Sequence, residues 1–170
     1  ITETAAGLFL EARSQWNPWL RSTLGVRQDY INAHVTPTGG QFNMANGGSA
    51  SASQTSPKLS LVFGPFGEQA NTEFYANAGY GFHSNDARGA TGTVNPADGT
   101  ATQKLSLFAK AKGTEIGMRT RPLPGWSSSV SFWRMELGSE LVFVGDEGVT
   151  EPRGASVRHG VEWSNYITPN

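Results

Sequence analysis

The sequence predicts an all-β chain: an antiparallel up-and-down meander of about seven long strands, a segment of a transmembrane β-barrel that would be an open curved sheet if isolated. Two observations carry this expectation. Polar and apolar residues alternate with period two in one window after another, and the turns between those windows alternate strictly between short and long. A third observation removes the helical alternative. Gly, Pro, Ser, Thr and Asn interrupt nearly every stretch of ten residues, and no run approaches the roughly 18 apolar residues of a membrane helix.

The elements follow in chain order. Ala5 to Arg13 is the first candidate strand. In Leu20 to Tyr30, Leu24, Val26 and Tyr30 share one phase and Arg21, Thr23, Gly25, Arg27 and Asp29 the other, with Gln28 as the exception. Lys58 to Phe63 is the third. In Thr72 to His83, Phe74, Ala76, Ala78, Tyr80 and Phe82 oppose Glu73, Tyr75, Asn77, Gly79, Gly81 and His83, so one face is apolar and the other polar or tiny. Gly113 to Arg121 sets Glu115, Gly117, Arg119 and Arg121 against Ile116 and Met118. Ser129 to Leu141 sets Trp133, Met135, Leu137 and Leu141 against Arg134, Glu136 and Glu140, and Val157 to Ile167 closes the series.

Short turns are expected around 14–19, 64–71 and 122–126, and long ones at about 32–56, 84–103 and 145–156. In a meander, successive turns fall at opposite ends of the strands, so this rhythm puts every short turn at one end and every long one at the other. Outer-membrane barrels have that asymmetry. A soluble sandwich has no reason to sort its loops so. Trp16, Trp19, Phe66 and Trp126 stand at or beside the short turns, while Tyr30, Phe82 and Phe143 lie toward the long loops. Two such belts fit two membrane interfaces, although aromatic plugs over the ends of a sandwich give the same positions. Alternation alone does not separate barrel from sandwich; strands longer than the usual five or six residues favour the barrel.

Composition agrees. The chain has 170 residues, a formal net charge of -1, no cysteine and 21 glycines. Scattered Lys and Arg argue against a nucleic-acid partner, and the lack of Cys removes disulfides, thiolate zinc sites and Cys nucleophiles. A mean hydropathy of -0.37 is compatible with a membrane because a barrel strand needs apolar residues only at alternate positions. The chain begins at Ile1 in mid-pattern, as an internal piece of a longer protein would.

At this point the residues carry a resemblance. WNPWLRSTLGVRQDY (from Trp16), PKLSLVFGP (from Pro57), EFYANAGYGFHSNDARG (from Glu73), GTEIGMRTRPLP (from Gly113) and SELVFVGDEGVTEP (from Ser139) resemble consecutive barrel strands of a TonB-dependent outer-membrane receptor. The resemblance implies a barrel of about 22 strands around a plug, of which residues 1–170 would be roughly a third, without the plug or the TonB box. It also implies TonB-coupled uptake of a scarce nutrient, such as a siderophore-metal complex, a cobalamin-like cofactor or a glycan. The partners would be the lipid bilayer of a Gram-negative outer membrane, the small-molecule or metal-chelate ligand, and TonB through a region outside this chain. A passive porin and a soluble carbohydrate-binding β-sandwich are the rival readings.

Candidate functional residues follow from phase and position. Arg27, Asp29, Glu73, His83, Glu115, Arg119, Arg134 and Glu136, together with Glu11 and Glu162, occupy the polar phase and are expected to line the lumen. Asp86, Arg88 and Arg153, near the long loops, are candidates for contacting the ligand, the two arginines for an anionic one. Gly79-Tyr80-Gly81 is no dinucleotide fingerprint, since Ser84 stands where the third Gly belongs and no helix is expected after it. His83 and Ser84 are neighbours on a strand and point to opposite faces, which argues against a nucleophilic triad; Asn85, Asp86 and Arg88 read as a hydrogen-bonded loop base. His34, His83 and His159 share no ligand spacing. No catalytic residue, metal or cofactor is expected.

Overall fold

The computed structural model describes residues 1–144 and 149–168, with side chains outside 140–153. Seven strands form one antiparallel sheet: β1 (Thr2–Asn17), β2 (Leu20–Val35), β3 (Gly48–Phe66), β4 (Thr72–Ser84), β5 (Phe108–Leu123), β6 (Trp126–Leu137) and, last, β9 (Ser156–Ile167). Two further strands, β7 (Glu140–Val144) and β8 (Val149–Arg153), pair as a separate hairpin within the third long connection. The order in the sheet is the order along the chain, so each strand pairs with the sheet strand that follows it. Among the described residues the seven strands form one layer on which no second sheet packs, which is not the arrangement of a sandwich.

Short connections lie at 18–19, 67–71 and 124–125, and long ones at 36–47, 85–107 and 138–155, at opposite ends of the strands as the turn rhythm predicts. Two boundaries differ most from expectation. The Gly-, Ser- and Ala-rich stretch 48–56 is strand, not loop, because its alternate residues Ala50 and Ala52 pair with Ala33 and Ile31 and need to be small beneath the next loop. Leu141 and the residues after it do not prolong β6; they turn away into the β7–β8 hairpin.

Register assigns the faces, since Cα partners in an antiparallel pair carry their side chains on the same side. One face holds Gly25, Asp29, Ile31, Gln54, Ser56, Glu73, Glu115 and Ser131, and it contains the buried polar residues of the strands. Two grooves, of about 760 and 620 Å³, open on this side, which makes it the concave one. The opposite face carries Leu8, Leu10, Leu24, Leu59, Phe74, Ile116, Phe132, Val161 and Trp163, all exposed, Leu8 to 79%. Apolar residues on the outside of a curved single-layer sheet reverse the arrangement of a water-soluble domain.

Outer apolar residues reach Val26 and Tyr30 on β2 and stop at Phe132 on β6, while Tyr80 on β4 and Val157 on β9, both about half exposed, stand in the row of Lys112 and Glu136.

The concave face is capped at the long-loop end. Residues 85–107 fold inward over it, with a single helical turn, α1 (Ala87–Thr91), that sequence periodicity did not reveal. Asp86 caps this turn, accepting from the Arg88 N–H at 2.8 Å. Ala87, Ala90, Leu107 and Phe108 pack on Ile31, Ala33 and Val35. Pairing between β3 and β4 runs from Phe66–Thr72 only as far as Lys58–Gly79, while β3 stays paired with β2 up to Gly48. The strands part at Pro57, a residue with no N–H to give to a ladder.

Candidate functional site

The concave wall is a polar surface held in fixed geometry by ion pairs within and between its strands. Near the short-turn end, Glu73 accepts from Arg21 Nη2 at 2.6 Å and from Arg119 Nε at 2.5 Å, so one largely covered carboxylate from β4 ties β2 to β5. Tyr75 and Asn77 donate to the Glu115 carboxylate at 3.4 and 3.0 Å. Midway up β1 and β3, Glu11 is bound by Arg13 at 2.8 Å and Lys58 Nζ at 2.5 Å. Arg27 and Asp29, two residues apart on β2, form a forked pair at 2.8–2.9 Å with the carboxylate buried and the guanidinium half exposed. Alternate residues of one strand share a face, which is why these i, i+2 pairs meet.

The wall's glycines are where neighbours approach. A Cβ at Gly160 would stand 2.8 Å from Trp133 Cζ2, and one at Gly25 would stand 2.5 Å from Lys58 Cε. At Gly117 it would collide with the Tyr75 ring. Small residues on the concave face thus make room for large side chains of the adjacent strand.

Of the residues expected in the lumen, Arg27, Asp29, Glu73, His83, Glu115 and Arg119 are on this face, as are Glu11 and Glu162. Arg134 and Glu136 are not. Arg134 is partnered with Thr114 and Glu136 with Lys112, in the phase of Ile116 and Phe132, so both point outward, paired with each other at 3.0 Å. It is Trp133, Met135 and Leu137 that face inward, the reverse of the expected phase, and Trp133 does so because its indole covers Gly160. Sequence reasoning also left Arg21 and Lys58 out of the candidate set, although they are the wall's principal links; the signal for Arg21 was its phase with Arg27 and Asp29.

At the loop end, Asp86 and Arg88 form a bidentate pair, with Arg88 Nη2 at 2.5 Å from Asp86 Oδ2. The hydrogen bonds from Arg88 hold the Asp86 carboxyl below its ordinary range. Asn85 donates from Nδ2 to Ser106 O at 2.8 Å and from its backbone N–H to Leu107 O, closing the base of the loop. Asn46 joins the first long loop to the second: its Oδ1 accepts from Thr93 N at 2.8 Å and Val94 N at 3.0 Å, and its Nδ2 donates to Val94 O at 2.9 Å. The side chain of Arg153 lies outside the described residues, as does that of Phe143.

The aromatics divide. Trp16, Trp19, Phe66 and Trp126 are exposed or nearly so at the short-turn end, where Trp16 and Trp126 donate their indole N–H to Ser22 Oγ at 2.8 Å and Asn165 Oδ1 at 3.1 Å. Trp163, outside the two expected belts, behaves the same way toward Ser128 Oγ at 3.2 Å. Tyr30 is exposed on the outer face. Phe82 departs from expectation: its ring lies 4.2 Å from that of Phe108, within the cluster under the second loop, because β4 has separated from β3 at that height and the side chain fills the space. The three histidines do not converge, His34 and His159 lying on the outer phase and His83 on the inner.

Residues 1–167 match the family described as TonB dependent receptor-like, beta-barrel. Among solved structures, the chain is similar to the FrpB iron transporter from Neisseria meningitidis: the F3-3 variant at TM-score 0.65 and 20% identity, and the apoprotein form of the F5-1 variant at 0.63 and 22%. In each case 98% of this chain is covered, and it spans 24% of the length of the transporter. No curated protein matches.

Proposed function

The chain belongs to the TonB-dependent receptor-like β-barrel family, and from that premise we propose that it is part of the barrel wall of an outer-membrane active transporter. The observation that carries this reading is the division of one sheet into an exposed apolar outer band and an ion-paired concave face, with long connections at one end only. In this reading the outer band meets lipid, the concave face lines a lumen, and the plug and TonB box are supplied by other parts of the same protein. The short turns are periplasmic, and the inward-folded loops form part of the extracellular vestibule. Asp86, Arg88 and Arg153 would stand at its ligand-facing rim. The substrate is a scarce nutrient, with an iron chelate favoured by the likeness to an iron transporter.

The mechanism follows from differential contact. Ligand captured among the loops is held against a wall whose charges are already paired, so it passes without having to strip isolated ions; the energy for release comes from TonB. Uptake of ⁵⁵Fe, offered as ferric citrate and as a ferric catecholate, in cells expressing the full-length protein with and without TonB is the test. TonB-dependent accumulation is expected. Accumulation that persists without TonB would make the protein a passive channel, and a monodisperse, cooperatively melting protein in plain buffer would end the membrane assignment.

A further inference from the structure

The step Asn46-Gly47 occurs once in the chain and stands where the two long loops meet. Packing and hydrogen bonding account for both residues. Asn46 closes a tight helical turn, Asn43–Asn46, and its carboxamide gives Val94 O a donor and the Thr93 and Val94 N–H groups an acceptor, a set that neither Asp nor Ala supplies. A Cβ on Gly47 would stand 2.6 Å from Pro37 Cδ and 3.0 Å from its Cγ, so the backbone lies against the proline ring where a side chain would collide.

That pair has chemistry of its own. In an Asn-Gly step no side chain shields the glycine nitrogen, and it is tethered next to the carboxamide carbon, so ring closure is intramolecular and sterically free. The Gly47 nitrogen attacks Asn46 Cγ, the new C–N bond closes a succinimide, and the side-chain nitrogen leaves as ammonia, carrying the proton that Gly47 gives up. Water then opens the ring at one carbonyl or the other, which leaves aspartate or isoaspartate at position 46. Neither product keeps the link between the loops. Aspartate has no donor for Val94 O and sets a carboxylate oxygen against that carbonyl, while isoaspartate routes the main chain through what was the side chain.

In the folded loops four hydrogen bonds oppose the reaction. Three hold the carboxamide on Thr93 and Val94. The fourth, from Thr91 Oγ1 at 2.8 Å, pins Asn46 O, the carbonyl of the peptide that must turn to bring its nitrogen onto Cγ. Thr91 is 3% exposed, so this donor is itself fixed by the packing of α1. We propose that Asn46-Gly47 is a self-modification site: loss of ammonia converts the amide that joins the loops into aspartate or isoaspartate and frees the first long loop from the second, and docking of the second loop sets the rate. The site is a one-way switch in the cap over the concave face. It rests on the loop contacts alone and is independent of what the wall transports.

The test incubates the full-length protein in detergent micelles at mildly alkaline pH and follows the tryptic fragment 28–58 by liquid chromatography and mass spectrometry, which resolve amide, aspartate and isoaspartate. A synthetic peptide of residues 41–51 gives the unrestrained rate. Native protein is expected to convert roughly a hundred-fold more slowly than the peptide, and Val94→Pro, which removes one donor to Asn46 Oδ1, roughly five- to ten-fold faster than native. Thr91→Val, which keeps the shape of the side chain and loses the hydroxyl, is expected to accelerate conversion as well, and decides the matter if the proline unfolds the loop. In aged native protein, hydrogen exchange at the Thr93 and Val94 amides is expected to quicken in the converted fraction and not in the amide fraction. Native conversion as fast as the peptide's, conversion in both variants no faster than native, or unchanged exchange in the converted molecules would overturn the proposal.

Discussion

The indole of Trp133 lies over Gly160 on the neighbouring strand, so close that a Cβ there would come within 2.8 Å of Cζ2 and 3.0 Å of Cε2. The ring sits flat on backbone only because the glycine has no side chain. Gly160→Val is expected to displace the indole and lower stability by about 1–3 kcal/mol, read as a lower urea midpoint by Trp fluorescence in detergent micelles. An unchanged midpoint would show that the contact is slack.

Glu73 binds two guanidinium groups from two other strands. Glu73→Gln leaves Arg21 and Arg119 facing each other without a counter-charge, and about 1–3 kcal/mol of stability should be lost. The Arg21→Gln, Glu73→Gln double variant, which removes one of the competing cations, should lose less than the sum of the two single changes. Strict additivity in that double-mutant cycle would argue that the link is not formed.

The Asp86–Arg88 pair makes the second loop acid-sensitive. A carboxyl held below its ordinary range stabilises the native loop above the pKa of the unfolded form, and this contribution disappears as pH falls through the folded pKa. Limited proteolysis within 85–107 should be slow at neutral pH and accelerate below the ordinary carboxylate range. Asp86→Asn should be cut at one rate throughout that window; a variant with the native pH profile would assign the sensitivity to another group.

Asn46 satisfies two backbone N–H groups and one carbonyl of the second loop from the first. In Asn46→Ala these groups lose their partners, at a local cost of about 1–3 kcal/mol. Hydrogen exchange at the Thr93 and Val94 amides should then accelerate by roughly ten- to a hundred-fold, with the strands unaffected. Exchange that speeds up equally across β2 and β3 would instead mean that the loops and strands open together.

Depth on the outer face is testable along β3. Leu61 stands within the apolar band and Ser51 well above it, both pointing outward. Leu61→Arg is expected to destabilise the inserted protein by about 2–4 kcal/mol and Ser51→Arg by about 0–1, measured as unfolding free energies in bilayers. Equal costs would place lipid at neither position.

The fold was largely legible because barrel strands write their phase into the sequence. Turn rhythm and alternation located the seven sheet strands and put Arg27, Asp29, Glu73, Glu115 and Arg119 on one face. What alternation does not say is which phase points out. On β6 the bulky Trp133 and Met135 marked the apolar phase, yet they face inward, where the Trp133 indole covers Gly160, and Arg134 and Glu136 face outward as an ion pair, so polarity does not label the face there. Extension of β3 through 48–56 was hidden for a related reason: small side chains beneath α1 resemble a loop in composition. The cap on α1 was present as Asp86, but a single turn has no periodicity to reveal it.

The parting of β3 from β4 at Pro57 has a mechanical consequence. Above the Lys58–Gly79 rung the wall is two leaves, β1–β3 on one side and β4–β6 with β9 on the other, joined there by the packing of the second loop and not by a continuous ladder. A load applied to that loop is carried into both leaves by Leu107, Phe108 and α1. The wall is therefore less constrained above that rung than below it, where Glu73 and its two arginines brace three strands.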